Sequence, residues 1–524
     1  ELHLKNPKLW WPKGYGAPHL YDVEFCFETD GKVTDKTSFK SGVRQMTYSE
    51  ETYKPSGGMS VGSFGQSEPQ RLSLFINGRR FIGFGGNWGF GESNLNYRER
   101  EYDIAVAYHA DMNFTMIRNW VGQIGDKEFY EACDRHGIMV WQDFWLANPV
   151  DGPNPYYTEM FNANACDYLK RIRNHPSIGI YVGRNEGNPP AGIDDYLRGL
   201  VFREHPGLYY ISNSAMGVVS GGGPYRALSP KSYFQSYGHD KFHSERGMPN
   251  VMNYESILLT FGTDKIEPVN TSETPNPVYG LHDYTLGGGK GSSAQAASSF
   301  NDMIEKAFGR PRDAKQFAEW AQWINYDGYR AIFEGRSEHR RGMLLWMSHS
   351  AWPSMVWQTY DYYFDPNAAY FGCKKASEPL HIQWNPLRDD IEVVNYHAFD
   401  RTGLTATASL FNQDGTLQWT RETKLDIKED QTVACFPLEQ PETLSDTYFI
   451  KLSLTDSDGK QLSDNFYWRG KEDGNSKSLL QLPKVSVCKN VTVKKTGKEW
   501  LIRAVLKNEA RPPALMLRVK VTGG

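Results

Sequence analysis

Two glutamates in this chain stand where a carboxyl group could do work. Glu186 closes the run Tyr181-Val-Gly-Arg-Asn-Glu186-Gly187, in which an apolar segment ends abruptly on polar residues. If that segment is a barrel strand, Asn185 and Glu186 project into the mouth of a pocket, where a carboxyl can trade protons and an amide can bind a hydroxyl. The plainer alternative is a turn leading into a helix before Asp194. Glu245 lies in Phe242-His-Ser-Glu245-Arg-Gly-Met-Pro249, ahead of a turn, with enough chain after Glu186 for two strand-helix units. Taken alone, a glutamate before a loop is more often half of a surface ion pair. Together the two carboxyls suit glycoside hydrolysis, which needs them about 5 to 5.5 Å apart if one attacks the anomeric carbon directly. The expectation is an acid on strand four and a nucleophile on strand six.

Aromatic residues accompany these glutamates: Trp88 after Gly85-Gly-Asn87, Trp120 after Arg118-Asn119, Trp141 and Trp145 around Asp143, and Trp346 with Trp352 in Leu344-Leu-Trp-Met-Ser-His-Ser-Ala-Trp352. Any one of them could be core. Trp88 and Trp346 are the better candidates for a pocket wall, because each closes an apolar strand beside polar neighbours. Asp143 reads equally as a third pocket carboxylate and as a partner for Arg118.

The elements that must position these residues are legible as a change of period. Leu20 to Phe27 and Val33 to Val43 alternate as two strands around an Asp30-Gly31 turn, reading as the tail of a β-sandwich. A Ser/Gly-rich stretch from Pro55 to Gln66 reads as a linker or long loop. Between about Leu72 and Ala376 short apolar strands (81–86, 114–120, 137–145, 177–183, 208–212, 343–347) alternate with helix-length segments (98–112, 126–136, 161–174, 313–336). Strand and helix in alternation imply parallel pairing. A closed (β/α)₈ TIM barrel is expected over an open doubly wound sheet, because the polar and aromatic residues sit at the C-terminal strand ends. From Pro379 onward short alternating strands return at 391–399, 404–412, 448–456, 500–508 and 515–521. The fold expected is multi-domain α/β plus all-β, a TIM barrel flanked by immunoglobulin-like β-sandwich domains. Its divisions are a sandwich remnant and linker at 1–70, a barrel at 71–378, a sandwich at 379–472 and a partial second sandwich at 473–524.

Composition narrows the chemistry. A chain of 524 residues with net charge −4 and no basic block offers no footprint for nucleic acid. Aromatic residues make up 14%, with 15 Trp and 30 Tyr, which favours a sugar ligand whose ring faces stack on them. Six scattered cysteines suggest neither a zinc site nor a disulfide framework and read as buried small hydrophobes. No apolar run is long enough to span a membrane, and no signal peptide is visible in the given chain. The Gly287-Gly-Gly-Lys-Gly-Ser292 run departs from a phosphate loop, Phe84 to Gly89 lacks dinucleotide spacing, and neither H-E-x-x-H nor G-x-S-x-G occurs. Acid/base chemistry without metal or cofactor is what remains.

The chain resembles glycoside hydrolase family 2, in the branch of β-mannosidases, endo-β-mannosidases and exo-β-glucosaminidases. The resemblance rests on Asn6-Pro-Lys-Leu-Trp-Trp-Pro-Lys-Gly-Tyr-Gly16, Gly86-Asn-Trp88, Met116-Ile-Arg-Asn-Trp120, Gly137 to Phe144, Arg173-Asn-His-Pro-Ser177, Asn185-Glu186, Ser244-Glu-Arg-Gly247 and Trp346 to Pro353, in family order. It implies a retaining glycosidase with Glu186 as acid/base and Glu245 as nucleophile. Asn185 would bind the 2-hydroxyl, and Asn87, Trp88, Arg118 and Trp346 would line the sugar subsite. It also implies a jelly-roll domain ahead of the sandwich remnant. Arg118-Asn-Trp-Val-Gly-Gln123 departs from the R-x-W-G-G-G frequent in the family's mannosidases.

The activity expected is therefore double displacement on a β-linked oligosaccharide or glycan, with β-mannosidase-like specificity and Trp120, Asp143 and Trp352 as further binding residues. Glu186 would be protonated before attack, with a pKa above that of Glu245. Alternatives are exo-β-D-glucosaminidase, β-galactosidase or β-glucuronidase specificity and, in a different class, a catalytically silent carbohydrate-binding protein. Secretion or a periplasmic location is expected from the substrate class alone.

Overall fold

The computed structural model describes residues 3–53, 70–235, 240–286, 292–497 and 499–521; the Pro55–Gln66 stretch and the glycine run 287–291 lie outside them. Eight short segments form one parallel sheet: β1 (Gly83–Trp88), β2 (Met116–Asn119), β3 (Met139–Asp143), β4 (Ile178–Arg184), β5 (Tyr210–Asn213), β6 (Val219–Ser220), β7 (Phe242–Arg246) and β8 (Gly342–Leu345). Most of these strands are buried at every position, as strands covered on both faces must be. Their order is β5-β4-β3-β2-β1-β8-β7-β6, and every pairing is parallel.

The sheet curls, but no ladder joins β5 to β6 among the described residues. The physical reason is local: β6 is two residues long, and only 214–218 separate it from β5, with no helix between. Glu245 consequently stands on the seventh strand, where six had been expected. A two-residue strand has no periodicity to read.

The covering helices follow the sequence pattern. Lys127–His136 buries Phe129, Tyr130 and Cys133 and stops at Gly137, whose φ of 72° is the left-handed turn that ends helices. Asp313 caps Ala314–Glu334 by accepting a hydrogen bond from the Gln316 backbone. Between helices and strands lies the larger core. A second core fills the interior of the curled sheet, where Met116, Met139, Trp141, Ile180, Val182 and Phe242 meet Leu72, Leu74, Ile76 and Phe81. These last four belong to a small antiparallel sheet (Met46–Thr52, Gln70–Ile76, Arg79–Phe81) that plugs the floor. Gly83 makes room here, since a Cβ on it would lie 2.5 Å from the Phe242 ring.

After residue 379 two antiparallel sheets, of three and four strands, share one core. In Arg401–Asn412 the buried residues are Leu404, Ala406, Ala408 and Leu410, the two-residue period seen in the sequence. Two further hairpins, Tyr21–Thr29 with Lys32–Ser41 and Val487–Thr496 with Glu499–Asn508, are largely exposed. They carry Cys26 and Cys488, which are therefore exposed and not core residues; Cys133 and Cys373 are buried, Cys166 and Cys435 partly so. Leu515–Val521, expected as a strand, is irregular. Its Arg518 reaches Glu255 and Asp365 on the α/β part of the chain, a tether that alternation does not reveal.

Candidate active site

Strand alternation decides which side chains reach the mouth of the curled sheet. On β2 and β3, Met116 and Arg118, and Met139, Trp141 and Asp143, share the inner face, with the apolar members below in the plug and the charged ones above. Arg118 is fully buried and serves three acceptors at once. Its Nη1 donates to Glu245 Oε1 at 2.7 Å, and its Nη2 to Asp143 Oδ2 and Asn185 Oδ1, both at 2.7 Å. Burial opposes its charge, but Asp143 and Glu245 raise its pKa above the ordinary value. Asp143 is held further by the Trp141 indole N–H (2.9 Å) and the Val121 backbone N–H (3.0 Å). It is the partner of Arg118, one of the two readings the sequence allowed.

Glu245 reaches this cluster through a break in β7. Phe242 packs inside the sheet, and strict alternation would send Glu245 outward; the register irregularity between His243 and Arg246 turns it onto Arg118. Glu186 stands just past β4 with a φ of 45°, a conformation uncommon for a side-chain-bearing residue and found preferentially at functional sites. Its backbone N–H donates to Ser214 Oγ at 3.0 Å, and Asn148 Nδ2 lies 3.4 Å from its Oε2.

The two glutamates meet at Tyr225. Its hydroxyl lies 2.6 Å from Glu245 Oε2 and 3.3 Å from Glu186 Oε1. One atom in reach of both puts those oxygens within about 6 Å of each other, which covers the separation a retaining glycosidase requires and falls short of most inverting ones. Burial, with the two carboxylates beside it, keeps the Tyr225 phenol far above its ordinary pKa, so it holds its proton. Burial also pushes Glu245 up to about 7, with Glu186 adding to the rise and Arg118 and Tyr225 pulling against it. That direction is opposite to the low value expected of a nucleophile, because burial outweighs the pull of Arg118.

The remaining sequence candidates divide. Trp346 packs at 5.0 Å from Trp120 and 6.2 Å from Tyr225, so these two indoles edge the carboxylate pair. Asn87 donates to the Ser244 and Leu345 carbonyls at 2.9 and 2.8 Å, bracing the strands that flank it. Trp88, one residue on, faces the opposite way: it stacks on His349 at 4.2 Å and gives its N–H to His109 at 3.1 Å. It is outer core and not subsite wall, because alternation separates it from Asn87. Trp352 is half-exposed and stacks beside His282 at 6.2 Å. Tyr225, Trp357, Asn148 and Ser214 were not foreseen. Trp357 lies 6.2 Å from Trp346 and 6.0 Å from Tyr225. The one available signal was Gly221-Gly-Gly-Pro-Tyr225: at Gly222, φ is +78° and a Cβ would sit 3.3 Å from Glu186 Oε1.

The model of glycosyl hydrolases family 2 matches residues 1–44 of the chain. The chain is 29% identical to a mannosylglycoprotein endo-β-mannosidase of Lilium longiflorum, over 89% of this chain and 53% of that protein. It is 28% identical to an exo-β-D-glucosaminidase of Streptomyces avermitilis, over 89% and 52%. Among solved structures, the exo-chitosanase of Amycolatopsis orientalis shares the fold at a TM-score of 0.83 and 23% identity, covering 97% of this chain and 63% of that one. The chain thus spans about half the length of these curated relatives. Among the described residues, no helix is long and apolar enough to cross a membrane.

Proposed function

We propose that the protein is a retaining β-glycosidase with Glu245 as nucleophile and Glu186 as acid/base, on a (β/α)₈ barrel whose β5–β6 seam is unladdered. The observation that carries this is the single Tyr225 hydroxyl within reach of both carboxylates. In the first step a Glu245 oxygen bonds to the anomeric carbon, the bond to the leaving oxygen breaks, and the Glu186 proton passes to that oxygen. In the second, Glu186 takes a proton from water, which displaces Glu245 from the sugar.

Hydrogen-bond bookkeeping supports this division of labour. Tyr225 has one proton, and its hydroxyl lies closer to Glu245 than to Glu186, so Glu245 is its principal acceptor. Glu245 receives from Arg118 and Tyr225 at once, an arrangement for an ionised carboxylate.

The sugar we favour is a β-glucosaminide, ahead of the β-mannoside expected from the sequence. Exo-β-D-glucosaminidases recur among the relatives, in Streptomyces, Amycolatopsis and Hypocrea species, at 25–28% identity. Independently, ionised Asp143 and Glu245 both face Arg118, a negative excess of one that suits an ammonium-bearing sugar. The β-mannoside reading rests on the Lilium relative and on the β-mannosidases B of Emericella nidulans and Aspergillus terreus, each 26% identical over 72% of this chain. Aryl β-glucosaminide and aryl β-mannoside, assayed side by side, decide between them. Glu245→Ala should lose several orders of magnitude in rate, and azide should restore turnover with inverted product. Undiminished activity in that variant would remove Glu245 from the reaction.

A further inference from the structure

Glu186 has two oxygens, and they face different things. Oε1 looks to Tyr225 and through it to Glu245, while Oε2 looks to Asn148 in the loop that follows β3. In a double displacement the leaving group departs from the side of the sugar opposite the nucleophile, beside the acid that protonates it. The loop at 146–157 is therefore the protein surface next to the departing oxygen.

That loop is built as a rigid shelf. Arg184, two residues before Glu186, donates from Nε to the Ala147 carbonyl and from Nη1 to Asn154 Oδ1, both at 2.7 Å. Asp151 and Gly152 turn back onto the Asn148 carbonyl at 2.9 and 3.3 Å, and Pro149 packs where a Cβ on Gly187 would stand. A segment so held would be expected to hide its apolar side chains. Instead Val150 and Tyr156 are each 88% exposed and Tyr157 is 74% exposed. Adjacent exposed aromatic rings on a loop that reaches Glu186 mark a binding surface, and a pyranose face is the ligand that two such rings on a polar, amide-bearing loop fit.

We propose that this loop is the leaving-group platform of the enzyme, on which Tyr156 and Tyr157 hold the sugar units beyond the scissile bond of an oligosaccharide substrate. The proposal rests on the glycosidase reading above and adds that the natural leaving group is itself a chain of sugars. Holding it costs little ordering entropy, because Arg184 has already fixed the loop.

The test compares two substrates of the same non-reducing sugar in the full chain: an aryl glycoside, which is too short to reach the platform, and a β-linked oligosaccharide of four or more units. Tyr156→Ala with Tyr157→Ala should lower kcat/KM on the oligosaccharide about tenfold or more, chiefly through KM, while the aryl glycoside changes less than twofold. Phenylalanine at both positions should restore the oligosaccharide rate. Binding of the oligosaccharide to Glu245→Gln protein, measured by calorimetry, should weaken by the same factor when both tyrosines are removed. Equal change on both substrates, or unchanged oligosaccharide binding, overturns the platform and leaves the glycosidase intact. A change in oligomeric state with unchanged turnover assigns the rings to a protein contact and overturns it too. A parent protein inactive on every substrate refutes the glycosidase reading itself.

Discussion

Replacing Glu245 with Gln keeps the shape of the side chain and deletes its charge, and the structure fixes what that does to stability at each pH. Burial raises this carboxyl from its ordinary 4.5 to about 7, against the pull of Arg118 and Tyr225. A group whose folded-state pKa is raised contributes stability that is present below about pH 4.5 and is lost as pH climbs through about 7. At about 1.4 kcal/mol for each pH unit, ionised Glu245 burdens the fold by about 3 kcal/mol above pH 8. Glutamine removes that burden and still accepts from Arg118, which keeps Asp143 as its counter-ion. The variant should unfold together with the parent at pH 4.5, within a few tenths of a kcal/mol, and should melt higher by roughly 5 °C at pH 8.5. Paired thermal scans at one heating rate, with urea titrations at the same two pH values, measure this. If the variant is instead destabilised at pH 8.5 by as much as at pH 4.5 or more, the Arg118 ion pair outweighs desolvation and the reasoning fails.

Two further outcomes follow from named contacts. Tyr225→Phe removes the hydroxyl shared by the glutamates, so kcat should fall about ten- to a thousandfold with little change in KM, and the acidic limb of the pH-rate profile should move upward as Glu245 loses a donor; an unshifted limb would place Tyr225 outside the proton arrangement. His381, fully buried between Glu334 and Glu378 at 3.0 Å on either side, has a raised pKa because these partners overcome its burial. Its contribution is present below about pH 6.5 and lost as pH rises through the folded value, so His381→Phe should cost more stability at pH 6 than at pH 9, and a cost independent of pH would show that the ring is a packing element only.

How far the sequence spoke depended on how long each pattern was. Arg401–Asn412 announced itself because four alternating residues repeat one choice, and Lys127–His136 because Phe129, Tyr130 and Cys133 fall on one helical face. The strands carrying Asn87, Arg118 and Asp143, and the one that leads into Glu186, were legible as apolar runs ending on polar residues. Where a single position decided orientation, the pattern was silent. Trp88 and Asn87 differ by one residue and face opposite ways, and the irregularity that turns Glu245 inward occupies a four-residue span of β7. Tyr225 was invisible because it stands in a loop, where only tertiary contacts give a side chain its direction. Its position next to two carboxylates is a property of three separate strand ends.

The plug beneath the site has a consequence for how the molecule comes apart. Leu72, Leu74, Ile76 and Phe81 arrive from a sheet that precedes the first strand of the curled parallel sheet, yet they complete the interior on which Trp141 and Phe242 rest. The inner layer cannot close until that earlier sheet is in place, so the two should melt in one cooperative step. Cutting the chain between residues 77 and 83 would leave the catalytic half with a hollow centre, and the arginine that gathers the carboxylates would lose its footing before any residue of the pocket had been touched.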